Sequence, residues 1–125
     1  MKHKGWDYLD HMVQTCEELF ECMQGVSSHK SLEEDTKTRR AVVMCLLDLG
    51  ESFKSLRNSE LDQYPSENWK NMIGFRNRAS HGYQSLNFEI VYSLAAEKVP
   101  PLYEFLKKKQ QELENEDGLD EDVDE

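Results

Sequence analysis

From Trp6 to Gln24 the apolar positions Leu9, Met12, Val13, Cys16, Leu19, Phe20 and Met23 recur three and four residues apart, which lays one stripe along a helix. Gly25 stands where a left-handed C-terminal cap is wanted. Val26 to Asp35 carries three serines and no period, so it reads as a loop with at most one short turn at Leu32, and Asp35 or Thr36 is placed to cap the next helix. This second helix is expected to run to about Arg57, because Val42, Cys45, Leu46, Leu49, Phe53 and Leu56 again repeat at three and four. Gly50 inside it costs about 1 kcal/mol relative to alanine, which argues for close approach of a neighbouring helix. Pro65 predicts a stop. Ser66 is placed to cap a third helix whose apolar line is Trp69, Met72 and Ile73, with Arg76 continuing that line. Gly82 is expected to end it. Asn87 then caps a fourth helix buried through Ile90, Val91 and Leu94, and Pro100 and Pro101 stop that helix and open a fifth with Leu102, Tyr103 and Leu106. Four or five antiparallel helices on short connections give an all-α, up-and-down bundle.

Composition adds limits to this picture. A chain of 125 residues with 38% hydrophobic and 32% charged positions is sized for one domain, here residues 1–110, followed by an acidic segment 111–125 in which nothing apolar repeats and disorder is expected. No apolar run approaches the ~20 residues that span a bilayer, and Met1-Lys2-His3-Lys4 leads into polar sequence, so a cytoplasmic location away from membranes is expected. The net charge of −10 misleads if taken whole: residues 111–125 hold nine acids and no lysine or arginine, which leaves −1 on the remainder. A near-neutral body can still present a local basic patch to phosphate.

Cys16, Cys22 and Cys45 are odd in number, form no C-x-x-C pair and fall in or beside helical stripes, which predicts buried thiols. The four histidines form no short ligand pair, so no metal or other cofactor is expected, and His3, His11 and His29 are assigned to the surface. Trp6 and Trp69 are expected as core anchors, and Lys107 to Lys109 as a solvated helix end.

Chemistry concentrates in Arg76-Asn77-Arg78-Ala79-Ser80-His81-Gly82-Tyr83. Arginine offers a planar fork of donors suited to phosphate and to charge building on a phosphoryl centre, and histidine exchanges a proton near neutral pH. Residues five apart on a helix are separated by roughly 140° and about 7.5 Å of rise, so Arg76 and His81 cannot stand side by side unless the helix loosens near Gly82 or two chains combine. Cleavage of RNA by its own 2′-hydroxyl needs a base for that hydroxyl and an acid for the leaving oxygen. One chain supplies one such histidine, and a twofold dimer would supply two. The spacing alone also fits a structural or solvent-facing pair.

Around this stretch stand Thr38-Arg39-Arg40-Ala41-Val42, Leu49-Gly50-Glu51, Tyr64-Pro65, Trp69, Met72-Ile73-Gly74-Phe75 and Phe88-Glu89-Ile90-Val91-Tyr92. With Arg76-Asn77, His81 and Tyr83 they make residues 35–107 resemble the HepT-like branch of the HEPN superfamily, whose hallmark is Arg, a polar residue, three further residues, His, any residue, then Tyr. The resemblance implies a helical homodimer acting as a metal-independent ribonuclease toxin, paired with a minimal nucleotidyltransferase antitoxin. It implies that Arg76 holds the phosphate, His81 transfers protons, Asn77 orients the motif, and Tyr83 is the tyrosine silenced by attachment of AMP. Tyr83 is expected at the mouth of the cleft, with Lys70 and Arg78 as further RNA contacts. Ala79 and Ser80 are smaller than the residues usual there, and the acidic segment lies outside the pattern. A second class of function stays open: a non-catalytic helical module that helps a separate nucleotidyltransferase recognise its substrate.

Overall fold

The apolar stripes become three long helices, α1 (Leu9–Met23), α3 (Thr36–Lys54) and α5 (Ser66–Ala79), joined by the short helices α2 (His29–Glu34) and α4 (Asn58–Leu61). The computed structural model describes residues 5–124, with side chains through residue 118. A further helical unit comes next, in which α6 (Phe88–Ser93) passes through a π turn at Leu94–Lys98 into α7 (Val99–Asp124). Met12, Cys16 and Leu19 of α1 meet Leu46, Leu49 and Phe53 of α3 and Leu102 and Leu106 of α7 in one core. Tyr103 donates to Glu17 and Gln110 donates to Asp10, so α7 runs antiparallel to α1. The described residues form an all-α bundle without strands, as the periodicity predicts.

Polar side chains cap the starts of α2, α3 and α6. The Asp35 carboxylate accepts from the Thr38 amide at 3.1 Å and starts α3, and Asn87 Oδ1 accepts from the Glu89 amide at 2.8 Å and starts α6. Gln24 closes α1, and Gly25 comes after it at φ +85°, a conformation that side chains disfavour.

Five expectations need correction. Residues 29–34 are helical because Ser28 and Ser31 cap each other reciprocally. The second long helix ends at Lys54, short of Arg57. Ser66 does not cap α5, because Pro65 holds that position and no side chain bonds the first amides. Ile90 is 36% exposed, and Phe88 and Val91 bury α6 in its place. Pro100 and Pro101 do not break the helix: each lacks the N–H that would bond four residues back, and the π turn, with the Val99 amide donating to Leu94, resets the ladder before them.

Helix α7 runs on through the acidic segment to Asp124, where the sequence shows no apolar repeat. The local cause is Leu113, seven residues after Leu106 on the same face, which is 8% exposed beside Trp6 and Leu9. Lys109 pairs with Glu112 at 3.6 Å one turn on. His3 lies outside the described residues. His11 is exposed and His29 half-buried, while Trp6 is buried and Trp69 half-buried against the core.

Cys16 and Cys45 are buried and Cys22 is half-buried, all three as free thiols. Burial pushes the Cys16 and Cys45 thiols from their ordinary 9.0 up to about 12. An unfolded chain ionises them near 9.0 while the folded chain keeps them neutral, so their contribution to stability is complete below that pH and is lost as pH rises towards about 12. The midpoint of urea unfolding is therefore expected to fall across this window, and less steeply in a Cys16→Ala, Cys45→Ala variant. Tyr64, buried and donating to the Gly5 carbonyl at 2.7 Å, shifts upwards by burial and adds to the same trend.

Candidate functional site

Helix α5 lies so close to α3 that a Cβ on Gly50 would sit 2.6 Å from the Met72 carbonyl oxygen and 2.7 Å from Arg76 Cβ. The bare backbone at Gly50 thus fixes where Arg76 leaves its helix. Arg76 Nε donates to Glu51 Oε2 at 2.6 Å, and its Nη1 donates to Asn77 Oδ1 at 3.2 Å. Asn77 is tied in again through its carbonyl, which accepts from Ser80 Oγ at 2.6 Å. The guanidinium lines an open groove of about 410 Å³ between the two helices. Met44, Leu47 and Ala79 give the groove apolar walls, and Asp48 and Glu51 give it charge. Met44 is 64% exposed, unusual for a long apolar side chain beside a charged cluster.

Helix α5 releases the chain where Gly82 predicts. The last helical residue is Ala79, turn bonds run from the His81 amide to Arg78 and from the Gly82 amide to Ala79, and Gly82 takes φ +122°. His81 stands exposed in that turn, without a side-chain hydrogen bond or ion pair among the described residues. Among the described residues no hydrogen bond joins Arg76 and His81 within one chain: the arginine is held by Glu51 of α3, and His81 lies past the last helical residue of α5.

Tyr83 departs from its expected place at the cleft mouth. It opens a 3-10 turn (Tyr83–Ser85) and folds back on the first turns of α3, its ring 4.4 Å from the Arg40 guanidinium carbon, 6.0 Å from that of Arg39 and edge-on to Phe88. Its hydroxyl is fully covered and has no protein partner. Lys70 and Arg78 are also apart from Arg76. They line a second groove of about 220 Å³ with Asn71, Phe75 and Ile90, because residues two apart on a helix differ by roughly 200°.

Two neighbours escape sequence reasoning as site residues. Glu51 stands in the sequence only as part of the Leu49-Gly50-Glu51 string, and Asp48 draws no notice at all. Asp48 accepts from or pairs with His11 Nε2 at 2.9 and 3.0 Å and takes the Thr15 hydroxyl at 3.3 Å. A second line on α3, Met44, Leu47, Asp48 and Glu51, repeats at three and four beside the core stripe and is the signal that could have found them. Among the described residues no group of His, Cys, Asp and Glu side chains is arranged to hold a metal ion.

A family model for ribonuclease HepT-like proteins matches residues 12–109, nearly the whole bundle, including the Arg76 groove and the His81 turn. The chain belongs to this family. A protein of Caldanaerobacter subterraneus subsp. tengcongensis named "Putative RNase TTE0752" is 30% identical over 101 residues, 81% of this chain and 89% of the relative. "Putative RNase MJ0127" of Methanocaldococcus jannaschii is 32% identical over 84 residues, 67% of this chain and 69% of the relative. "Probable ribonuclease HepT" of Thermococcus cleftensis is 27% identical over 111 residues, 86% of this chain and the relative's full length. No solved structure matches the chain. This HepT-like bundle contains no helix, among its described residues, that is long and apolar enough to cross a membrane.

Proposed function

We propose that the protein is an RNA-cleaving toxin whose working site forms between two copies of the chain. The observation that carries this reading is the split within one chain: Arg76 is anchored in a groove and His81 stands free beyond the broken helix end. A twofold axis at the groove brings in the second copy's motif, and exposed Met44 with Leu47 and Ala79 supplies the apolar contact such a pairing buries. One imidazole then takes the proton of the ribose 2′-hydroxyl as it attacks phosphorus. The other protonates the departing 5′-oxygen, leaving a 2′,3′-cyclic phosphate and a free 5′-hydroxyl. The Arg76 forks neutralise the charge on the non-bridging oxygens. Glu51 on Nε and Asn77 on Nη1 leave the Nη2 donors and the second Nη1 proton for phosphate. Asn77 positions Arg76 by its side-chain hydrogen bond.

The same reading includes a minimal nucleotidyltransferase as antitoxin, which silences the toxin by attaching AMP to Tyr83. Since the Tyr83 hydroxyl is covered by its own chain, the partner must first draw the Gly82–Ser85 segment outward. Incubation of the purified chain with RNA in the presence of a chelator tests the nuclease. Cyclic-phosphate ends, lost in His81→Ala, are expected. No cleavage by protein whose mass excludes AMP on Tyr83 would favour the non-catalytic module.

A further inference from the structure

The groove of about 220 Å³ that Lys70 and Arg78 line has no part in the chemistry described so far. Lys70, Gly74 and Arg78 recur four apart along α5 on one side of it, and Ile90 of α6 with Leu94 of the π turn forms the facing wall. Gly74 leaves the middle open, since nothing lies within 4 Å of a Cβ placed there. Lys70 and Arg78 are both exposed, and among the described residues neither is paired with a carboxylate. Lys70 Nζ lies 5.6 Å from the centre of the Trp69 ring, a contact that steadies the ammonium without neutralising it. Glu67 is the one acid within four residues of Lys70 in the sequence, and Lys98 engages it at 3.2 Å. No acid stands within four residues of Arg78, and Glu89, next to Ile90, faces His29 at 3.9 Å.

Lys70 and Arg78 are separated by about 12 Å along the axis of α5, which suits separate phosphates of one strand better than a single ion. Between them Ile90, 36% exposed, and Leu94 offer an apolar wall to a ribose or base face, surfaces that a single strand presents and a duplex stacks away. The groove also has a direction. His81 comes eleven residues after Lys70, roughly 20° from it around an ideal helix axis, and Ser80 keeps right-handed helical dihedrals before it. The face of α5 that carries the two cations therefore continues towards the turn that holds His81. We infer that the groove between α5 and α6 is a track for single-stranded RNA, gripped through its phosphates by Lys70 and Arg78 and led along α5 to the His81 turn. A chain of net charge −10 needs such a local field, because its overall charge repels the same strand. The charge and shape of the groove stand by themselves, whereas its use by RNA rests on the function proposed above.

The probe is fluorescein-labelled 2′-O-methyl hexauridylate, a single strand whose blocked 2′-oxygens cannot attack phosphorus. It is titrated into the full-length chain at several salt concentrations and followed by anisotropy. Saturable binding is expected, with the slope of log affinity against log salt reduced by about 0.7 in Lys70→Ala and likewise in Arg78→Ala. Affinity at low salt should fall about three- to tenfold in each. Gly74→Glu sets a carboxylate between the two cations where a side chain meets no neighbour, so it should weaken the probe at least as far while the thermal midpoint stays at or above that of wild type. Affinity and salt slope equal to wild type in all three variants would overturn the track. So would self-association that falls in these variants while probe affinity holds, which would give the groove to the acidic segment of a second copy. Because the probe is not cut, losses of the expected size in a chain that cleaves no RNA would leave the track standing and count against the nuclease.

Discussion

Replacing Arg76 by alanine is expected to lower the rate of RNA cleavage by about 10²- to 10³-fold, the cost of losing one donor set aimed at transition-state charge. Stability should change little. The Arg76 side chain is 29% exposed and that of its partner Glu51 56% exposed, so the ion pair is partly screened by water and the freed carboxylate stays solvated. That combination separates a catalytic role from a structural one: thermal unfolding should match wild type while single-turnover cleavage collapses. Arg76→Lys restores the charge without the fork, and should recover only a small part of the rate.

Gly50→Ala should give the opposite pattern, with a fold penalty of about 1–3 kcal/mol and activity lost as a consequence. The new methyl would collide with the Met72 carbonyl oxygen, which is backbone and cannot swing aside, and with Arg76 Cβ. Helices α3 and α5 must separate, and Arg76 leaves Glu51. Gly74→Ala is the control on α5. Nothing lies within 4 Å of a Cβ placed there, so the alanine should stabilise the helix by about 0.5–1 kcal/mol. Urea unfolding of the three proteins checks both signs at once.

Gly50 and Gly82 mark what the sequence discloses. A glycine inside a strong apolar stripe announces close packing, and Gly50 bears that out; a glycine after an arginine-rich turn announces a helix end, and Gly82 does so too. Asp35 and Asn87 cap the helices assigned to them, because capping is local chemistry. Features that depend on distant partners are harder to read. The apolar character of Ile90 is plain, but it faces the outer groove, because Phe88 and Val91 reach the core first. Pro100 and Pro101 look like a stop, yet the core contacts of Leu94, Val99 and Leu102 keep the chain helical through a π turn. A single leucine, Leu113, carries the buried face of α7 into the acidic segment where no repeat is visible.

The site divides the same way. The motif from Arg76 to Tyr83 and its failure to close within one helix can be argued from spacing alone. The direction of the Tyr83 ring cannot, since it depends on the Gly82 dihedral and on the two side chains that α3 presents to it, Arg39 and Arg40. Glu51 needs the packing of α3 on α5 before its contact with Arg76 can be seen.

The central claim is that two chains share one working site, and subunit mixing tests it most directly. Wild-type protein and His81→Ala are combined in varied proportions, allowed to exchange subunits, and assayed for RNA cleavage. If both imidazoles are needed at one phosphate, activity scales with the square of the wild-type fraction, so an equal mixture retains about one quarter of the wild-type rate. A linear decline, with about one half retained at equal proportions, would mean that each chain acts alone and would contradict the shared site.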